Sequence, residues 1–267
     1  MQWNAEAGKI MARVRKVRPL VHHITNVVVA NVTANVTLAV GASPVMAHAP
    51  EEAAEMARAA KAVVLNIGTL TLGQMEAMMA AGREANRAGV PVILDPVGMG
   101  ATSFRSRSVE RLLSDIKVAV VRGNAAEIAV LGGYSARVAG VDAASEPEGM
   151  ADIVRETSRR LGTVVAATGA IDYVSDGTLV LEVHNGHPLL TRITGTGCMA
   201  TAVIAAMRAV EEDGLPAATA ALACFGYAGE IAAAGARGPG SFQVRLLDVL
   251  HALQPEELAQ GARIAAG

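Results

Sequence analysis

The chain has 267 residues, 52% of them apolar and 18% charged, enough for a sizeable core and unlike a disordered chain. The formal net charge of −2 comes without any basic block, which argues against nucleic acid as a main partner. Three Phe, three Tyr and one Trp leave the filling to Ala, Val and Gly, as in helices packed closely on a parallel sheet.

Residues 4–17 read as a helix with Ile10, Met11, Val14 and Val17 on one side, stopped by Pro19. Residues 27–40 mix β-branched and polar types. Asn31 and Asn35 share a face at i, i+4, as do Val28 and Val32, which predicts a helix. Strands and helices then alternate. Strands are expected at 43–47, 62–68, 91–96, 118–123 and 163–169. Helices are expected at 50–60, 72–88, 105–115, 124–131 and 148–161. Residues 171–183 form a hairpin around Asp176-Gly177, a strong turn signal. Helices follow at 198–212, 216–234 and 241–253, with a polar tail helix from 255.

No linker or repeat interrupts this order, so the expectation is one α/β domain over residues 1–267, with a mainly parallel central sheet. The N-terminal stretch carries no apolar core of the signal-peptide kind. Residues 215–236 are apolar but rich in Ala and Gly and carry Pro216 and Glu230, and so read as a buried helix rather than a membrane span. Cys198 and Cys224 suit a reducing cytoplasm and require no disulfide.

In open parallel sheets, ligands bind beyond the carboxyl ends of the strands. Here "VILDPVGMGAT" ends a strand at Asp95, "VAVVRGNAAE" ends one at Arg122-Gly123-Asn124, and "VVAATGA" ends one at Thr168-Gly169. Asn124 and Glu127 share a face one helical turn apart, which also matches a plain capping box. Four such endings, counting "TGTGC" at 194–198, would converge on one rim.

Gly195 and Gly197 match part of a dinucleotide fingerprint, but a helix rather than a strand follows them, so the context fails. An anion hole fits better, because the N–H groups of 196–198 open a helix and aim at negative charge. Asp95 and Glu127 are hard oxygen donors suited to Mg²⁺, and Arg122 can neutralise phosphate. Cys198 sits inside the hole, where a helix N-terminus is expected to lower a thiol's pKa. His184 and His187 are the nearest partners by sequence for a nucleophilic cysteine, or an H-x-x-H metal pair without a third ligand.

Together "ITNVVVANVTANVTLAVGASPVMA", "NIGTL", "ILDPVGMGAT", "VRGNAAEI", "ATGAIDYVSDG" and "ITGTGCMA" resemble the hydroxyethylthiazole kinase family, from about Pro19 to the C-terminal helices. The N-x-x-E and G-T-G elements alone would point only to the ribokinase-like superfamily. The "HHITN" segment and the cysteine of "GTGC" single out this family within it.

The resemblance implies a ribokinase-like fold and phosphorylation of 4-methyl-5-(2-hydroxyethyl)thiazole by ATP and Mg²⁺ in thiamine salvage. It further implies a homotrimer with shared sites. The "TNVVVAN" segment of one subunit would then face the Asp95/Cys198 rim of a neighbour. Carried onto this chain, it places Asn26, Met46 and Gly195 at the thiazole and Arg122, Asn124, Thr168 and Gly197 at ATP. Asp95 and Glu127 fall at the metal and phosphates, and Cys198 where sugar kinases carry an aspartate base. Arg122 departs from a lysine common among relatives, and either cation partners phosphate. Alternatives are a hydroxymethylpyrimidine or other small-alcohol kinase, a hydratase-type lyase, a nucleotide sensor, and a transferase with a cysteine nucleophile.

Overall fold

The computed structural model describes residues 2–134 and 149–267. The expected start of a helix at 148 lies outside them. The described residues form one nine-stranded sheet in the order β2-β1-β3-β4-β5-β6-β7-β8-β9. The strands are β1 (Leu20–Ile24), β2 (Ser43–Val45), β3 (Ala62–Asn66), β4 (Val92–Asp95), β5 (Val120–Asn124) and β6 (Val164–Thr168), then β7 (Asp172–Ser175), β8 (Val180–Val183) and β9 (Ile264–Ala266). The first six run parallel, and the β7–β8 hairpin and β9 extend the sheet antiparallel.

Alternation along each buried strand sends side chains to opposite faces. Val63 and Leu65 of β3 pack into one core and Val64 into the other, and Val120 and Val121 of β5 divide in the same way. On the first face lie α3 (Pro50–Ala59), α4 (Leu72–Ala88), α5 (Ser103–Asp115), α6 (Ala125–Leu131) and α7 (Met150–Leu161). The second face carries α1 (Gln2–Val17), α2 (Ala30–Ala39), α8 (Thr196–Arg208), α9 (Gly214–Ala234), α10 (Pro239–Ala252) and α11 (Pro255–Gly261). Helix α9 is long and apolar enough to cross a membrane, yet most of it is buried in this second core. Its alanines and glycines let it lie close against its neighbours.

Three elements differ from the sequence expectations. The polar pair His22-His23 hides a strand, β1, in which both imidazoles are fully buried. His22 Nε2 meets the Ala47 carbonyl at 2.7 Å and His23 Nε2 meets Thr37 Oγ1 at 3.2 Å. Burying the adjacent Val21 and Ile24 stabilises by roughly 1.5–3 kcal/mol each, which offsets desolvation of two neutral rings that each keep a hydrogen bond. Helix α2 starts at Ala30 rather than 27, because Asn26 Oδ1 accepts the Val29 N–H at 3.2 Å and holds 27–29 in a turn. Beyond α11 the chain returns as strand β9, pairing with β8.

Candidate active site

Asp95 ends β4 and is completely buried. The parallel register sets Asn66, the last residue of β3, directly beside it. Asn66 Nδ2 donates to Asp95 Oδ2 at 2.9 Å and to Cys198 Sγ at 3.1 Å. Its Oδ1 accepts from Asn26 Nδ2 at 2.8 Å and from the Gly68 N–H at 3.0 Å. Asn26, just past β1, also directs its amide at Cys198 Sγ, 3.7 Å away. Thr201 Oγ1, on α8, donates to Asp95 Oδ2 at 2.8 Å. Hydrogen bonds that converge this way in a buried cluster fix the positions of its members.

The electrostatics follow from burial. Desolvation pushes the Asp95 carboxyl up to about 6, against the pull of the Arg122 charge, and Glu127 adds to the rise. Burial, then the Asp95 charge, push the Cys198 thiol up to about 12, although Asn66, Arg122 and Asn26 pull the other way. The expectation of a lowered thiol pKa at the helix N-terminus is therefore overturned, because desolvation and a carboxylate neighbour outweigh the helix end. Cys198 is a thiol at neutral pH. His184 and His187 are engaged elsewhere: His184 Nε2 pairs with Glu182 Oε2 at 3.0 Å, and His187 Nδ1 accepts the Leu189 N–H at 3.1 Å.

On the next strands the Arg122 guanidinium donates to Thr168 Oγ1 and lies 3.7 Å from Asp95 Oδ2. Gly197 provides the space it occupies: a Cβ there would sit 2.4 Å from Nη1. Gly195 caps α8 with φ +84°, a left-handed conformation that favours glycine, and a Cβ on it would strike Val29 at 2.5 Å. Helix α8 therefore begins at Thr196, two residues before the expected start, so the N–H groups of Thr196, Gly197 and Cys198 lie in its first turn. A cavity of 760 Å³ opens beside them. Arg122, Asn124 and Thr168 line one side, Thr196 and Gly197 another, and Leu222 and Phe225 the apolar back.

Glu127 and Asn124 form the capping box that the plainer sequence reading foresaw. Asn124 Oδ1 accepts the Glu127 N–H, and Glu127 Oε2 accepts the Asn124 N–H, both at 2.8 Å. Glu127 Oε1 also accepts the Gly98 N–H at 2.7 Å, tying α6 to the glycine turn after Asp95. Arg105 clamps that turn from below, donating to the carbonyls of Val97 at 2.6 Å, Ile67 at 3.0 Å and Gly68 at 2.7 Å. Asp95 Oδ1, by contrast, is buried and has no hydrogen-bond partner among the described residues. An orphaned carboxylate oxygen with a second acid close by suits Mg²⁺, which takes one or two carboxylates and otherwise phosphates and water.

The rim thus follows the sheet order: Met46 after β2, Asn26 after β1, Asn66 on β3, Asp95 on β4, Arg122 and Asn124 on β5, Thr168 on β6. At about 4.8 Å per strand, Met46 stands roughly 14 Å from the Asp95 strand, room for a small heterocycle between them. The sequence placed Asp95, Arg122, Asn124, Thr168, Gly195, Gly197 and Cys198 on one rim, and the structure brings them together there. Met46 shares the rim, one residue past the end of β2. Asn66, Thr201 and Arg105 were missed as individual contributors. Asn66 carried the same signal as Asp95, a polar residue closing a buried strand.

The "TNVVVAN" segment faces the Asp95/Cys198 rim of its own chain, since Asn26 reaches Cys198 and Val29 packs over Gly195. Val27 and Val28 remain exposed.

The hydroxyethylthiazole kinase family model matches residues 11–256. This chain belongs to the hydroxyethylthiazole kinase family. A hydroxyethylthiazole kinase of Moorella thermoacetica is 58% identical to it over 99% of each chain. The solved structure of a hydroxyethylthiazole kinase protein from Pyrococcus horikoshii OT3 superposes with a TM-score of 0.91 at 47% identity, covering 100% of both chains. A ribokinase-like superfamily protein from Enterococcus faecalis, at 12% identity and a TM-score of 0.63 over 88% of this chain and 87% of that one, shares the fold. The family chain is thus ribokinase-like in architecture, and its members are phosphotransferases with an alcohol acceptor.

Proposed function

We propose that the chain, folding as one kinase domain, transfers the γ-phosphoryl group of ATP to the hydroxyl of 4-methyl-5-(2-hydroxyethyl)thiazole, a step of thiamine salvage. The observation that carries this reading is the position of the Asp95–Asn66–Cys198 cluster. It stands between an acceptor side formed by Asn26, Val29 and Met46 and the 760 Å³ cavity on the β5–β6 side. An alcohol on one side and a triphosphate on the other would meet at Cys198.

Each group then has a task. The first-turn N–H groups of α8 and the Arg122 guanidinium face the charge that develops on the transferred phosphoryl oxygens. Mg²⁺, held by Asp95 and Glu127, would neutralise the phosphate oxygens when the nucleotide is bound. Sulfur of Cys198 accepts hydrogen bonds from two amides, and its thiol hydrogen, which otherwise bonds the Asp95 carboxyl, would turn to orient the acceptor hydroxyl. A loose transition state lets the alcohol proton leave late, to an oxygen of the transferred phosphoryl group, so the thiol need not ionise and no covalent intermediate is required.

The same reading includes a homotrimer in the cytoplasm. Val27 and Val28, 74% and 62% exposed beside the acceptor side, would be covered by a second copy that closes that side from water. ATP consumption measured with hydroxyethylthiazole, hydroxymethylpyrimidine, pyridoxal and ribose tests the substrate. Turnover highest with the thiazole is expected, and faster turnover with the pyrimidine would transfer the chain to the small-alcohol alternative. Light scattering at micromolar concentration tests the assembly, and fully active monomers would overturn it.

A further inference from the structure

One wall of the 760 Å³ cavity is the loop after β8, contributed by Asn185, Gly186, His187 and Pro188. Nothing in the sheet holds this loop, since β8 ends at Val183. What holds it is a carboxylate on α9 and the end of the chain. Glu230 Oε1 accepts the Gly186 N–H at 2.7 Å and Asn185 Nδ2 at 3.3 Å. Arg263, just before β9, donates to both Glu230 oxygens at 2.9 and 2.7 Å and to the His184 carbonyl. Asn185, only 3% exposed, closes the network, accepting the Arg263 N–H at 2.7 Å and donating to the Gly261 carbonyl at 3.0 Å.

The face of α9 is built for this. Gly226 lies one turn before Glu230, on the same side of the helix. A Cβ on Gly226 would stand 2.5 Å from the Asn185 carbonyl oxygen, so only glycine lets the loop lie against the helix. The Glu230 carboxylate is only partly exposed, and its hydrogen-bond partners belong to the loop or to the C-terminal segment.

We propose that Glu230, Arg263 and Asn185 form a clasp by which the C-terminal segment sets the position of the 185–188 wall, making Glu230 and Arg263 positioning residues for the nucleotide. This rests on the reading that the cavity holds ATP. Neither side chain lines the cavity, so they act through the loop and not by touching the ligand. The acceptor side, across the sheet at β1 and β2, does not share the clasp.

The test is steady-state kinetics of Arg263→Met, Arg263→Lys and Glu230→Gln, with ATP and the thiazole alcohol varied separately. The Arg263 side chain is half exposed, so its replacement leaves the core intact. The expected result is a three- to tenfold rise in KM for ATP, about 0.7–1.4 kcal/mol, in Arg263→Met and Glu230→Gln. KM for the alcohol should stay within about twofold, and Arg263→Lys, which keeps the charge but not the bidentate fork, should recover only part of the loss. An unchanged KM for ATP, or a parallel rise of both KM values, would overturn the clasp. Ala126→Phe, which fills the cavity from α6, separates the two readings. If Ala126→Phe raises KM for ATP and Arg263→Met does not, the clasp alone fails; if neither changes it, the cavity is not the nucleotide site and both fail.

Discussion

Gly197 and Arg122 share one volume: a methyl group on Gly197 would lie 2.4 Å from Nη1 and 2.5 Å from Nη2 of the guanidinium. The displaced atoms are the far end of a flexible side chain, so relief is cheap for stability and expensive for geometry. Gly197→Ala should swing Arg122 away from Thr168 and Asp95. Losing a charge-assisted contact of about 1.5–3 kcal/mol predicts KM for ATP raised roughly 10- to 100-fold, with a melting temperature within a degree or two of the parent. A large fall in melting temperature with unchanged KM for ATP would mean that the glycine serves packing alone.

Cys198→Ala should bind ATP as the parent does, since the first-turn N–H groups remain. Its turnover should fall less than the 10²–10⁴ expected of a general base, because a thiol pushed up to about 12 orients the hydroxyl without taking its proton at neutral pH. Cys198→Asp should stay active but lose stability, since it sets a second carboxylate against Asp95 in a dry site. If both variants were dead, a covalent nucleophile would replace this account; a fully active Cys198→Ala would remove the residue from catalysis. Turnover and melting temperature of both variants distinguish these cases.

Asn66→Asp keeps the shape of the side chain and removes both of its donated hydrogen bonds. Asp95 Oδ2 and Cys198 Sγ would each lose one donor, keeping Thr201 and Asn26 respectively, and a second carboxylate would stand beside Asp95. We expect turnover to fall at least about tenfold. The loss of melting temperature should be greater at pH 8 than at pH 5, where one carboxyl of the pair is protonated. Equal losses at the two pH values would show that charge repulsion is not the cause.

The buried His23 imposes a pH dependence of known sign. Burial, with His22 and His48 nearby, lowers its pKa from the usual 6.5 to about 3. The unfolded chain therefore binds a proton that the folded chain refuses. The contribution of neutral His23 is fully present above pH 6.5 and is lost progressively as pH falls toward 3. Chemical denaturation of parent and His23→Gln between pH 7.5 and 5 should show the parent losing more stability than the variant over that interval. Parallel curves would mean that the imidazole is not held neutral.

Much of this molecule is determined by local chemistry that the sequence displays. Apolar runs such as "AVVLN" and "VILD", each closed by a polar residue, specify buried parallel strands with their chemistry at the carboxyl end. Gly195 and Gly197 announce a helix start open to an anion, and the motif set announces the family. Strand β1 was not legible because two histidines interrupt its apolar pattern, and only the carbonyl of Ala47 and hydroxyl of Thr37 make them tolerable there. The protonation state of Cys198 was not legible either. Position on a helix N-terminus is a property of the chain, but desolvation and the approach of Asp95, 103 residues away in sequence, exist only once the sheet has formed. The same holds for Asn66, whose partners Asn26, Asp95 and Cys198 come from three other segments, and for Arg263, which reaches the cavity wall only because β9 returns to β8. Local pattern chose the elements and their ends; the register between strands and the closing of the chain's end chose which of those ends touch.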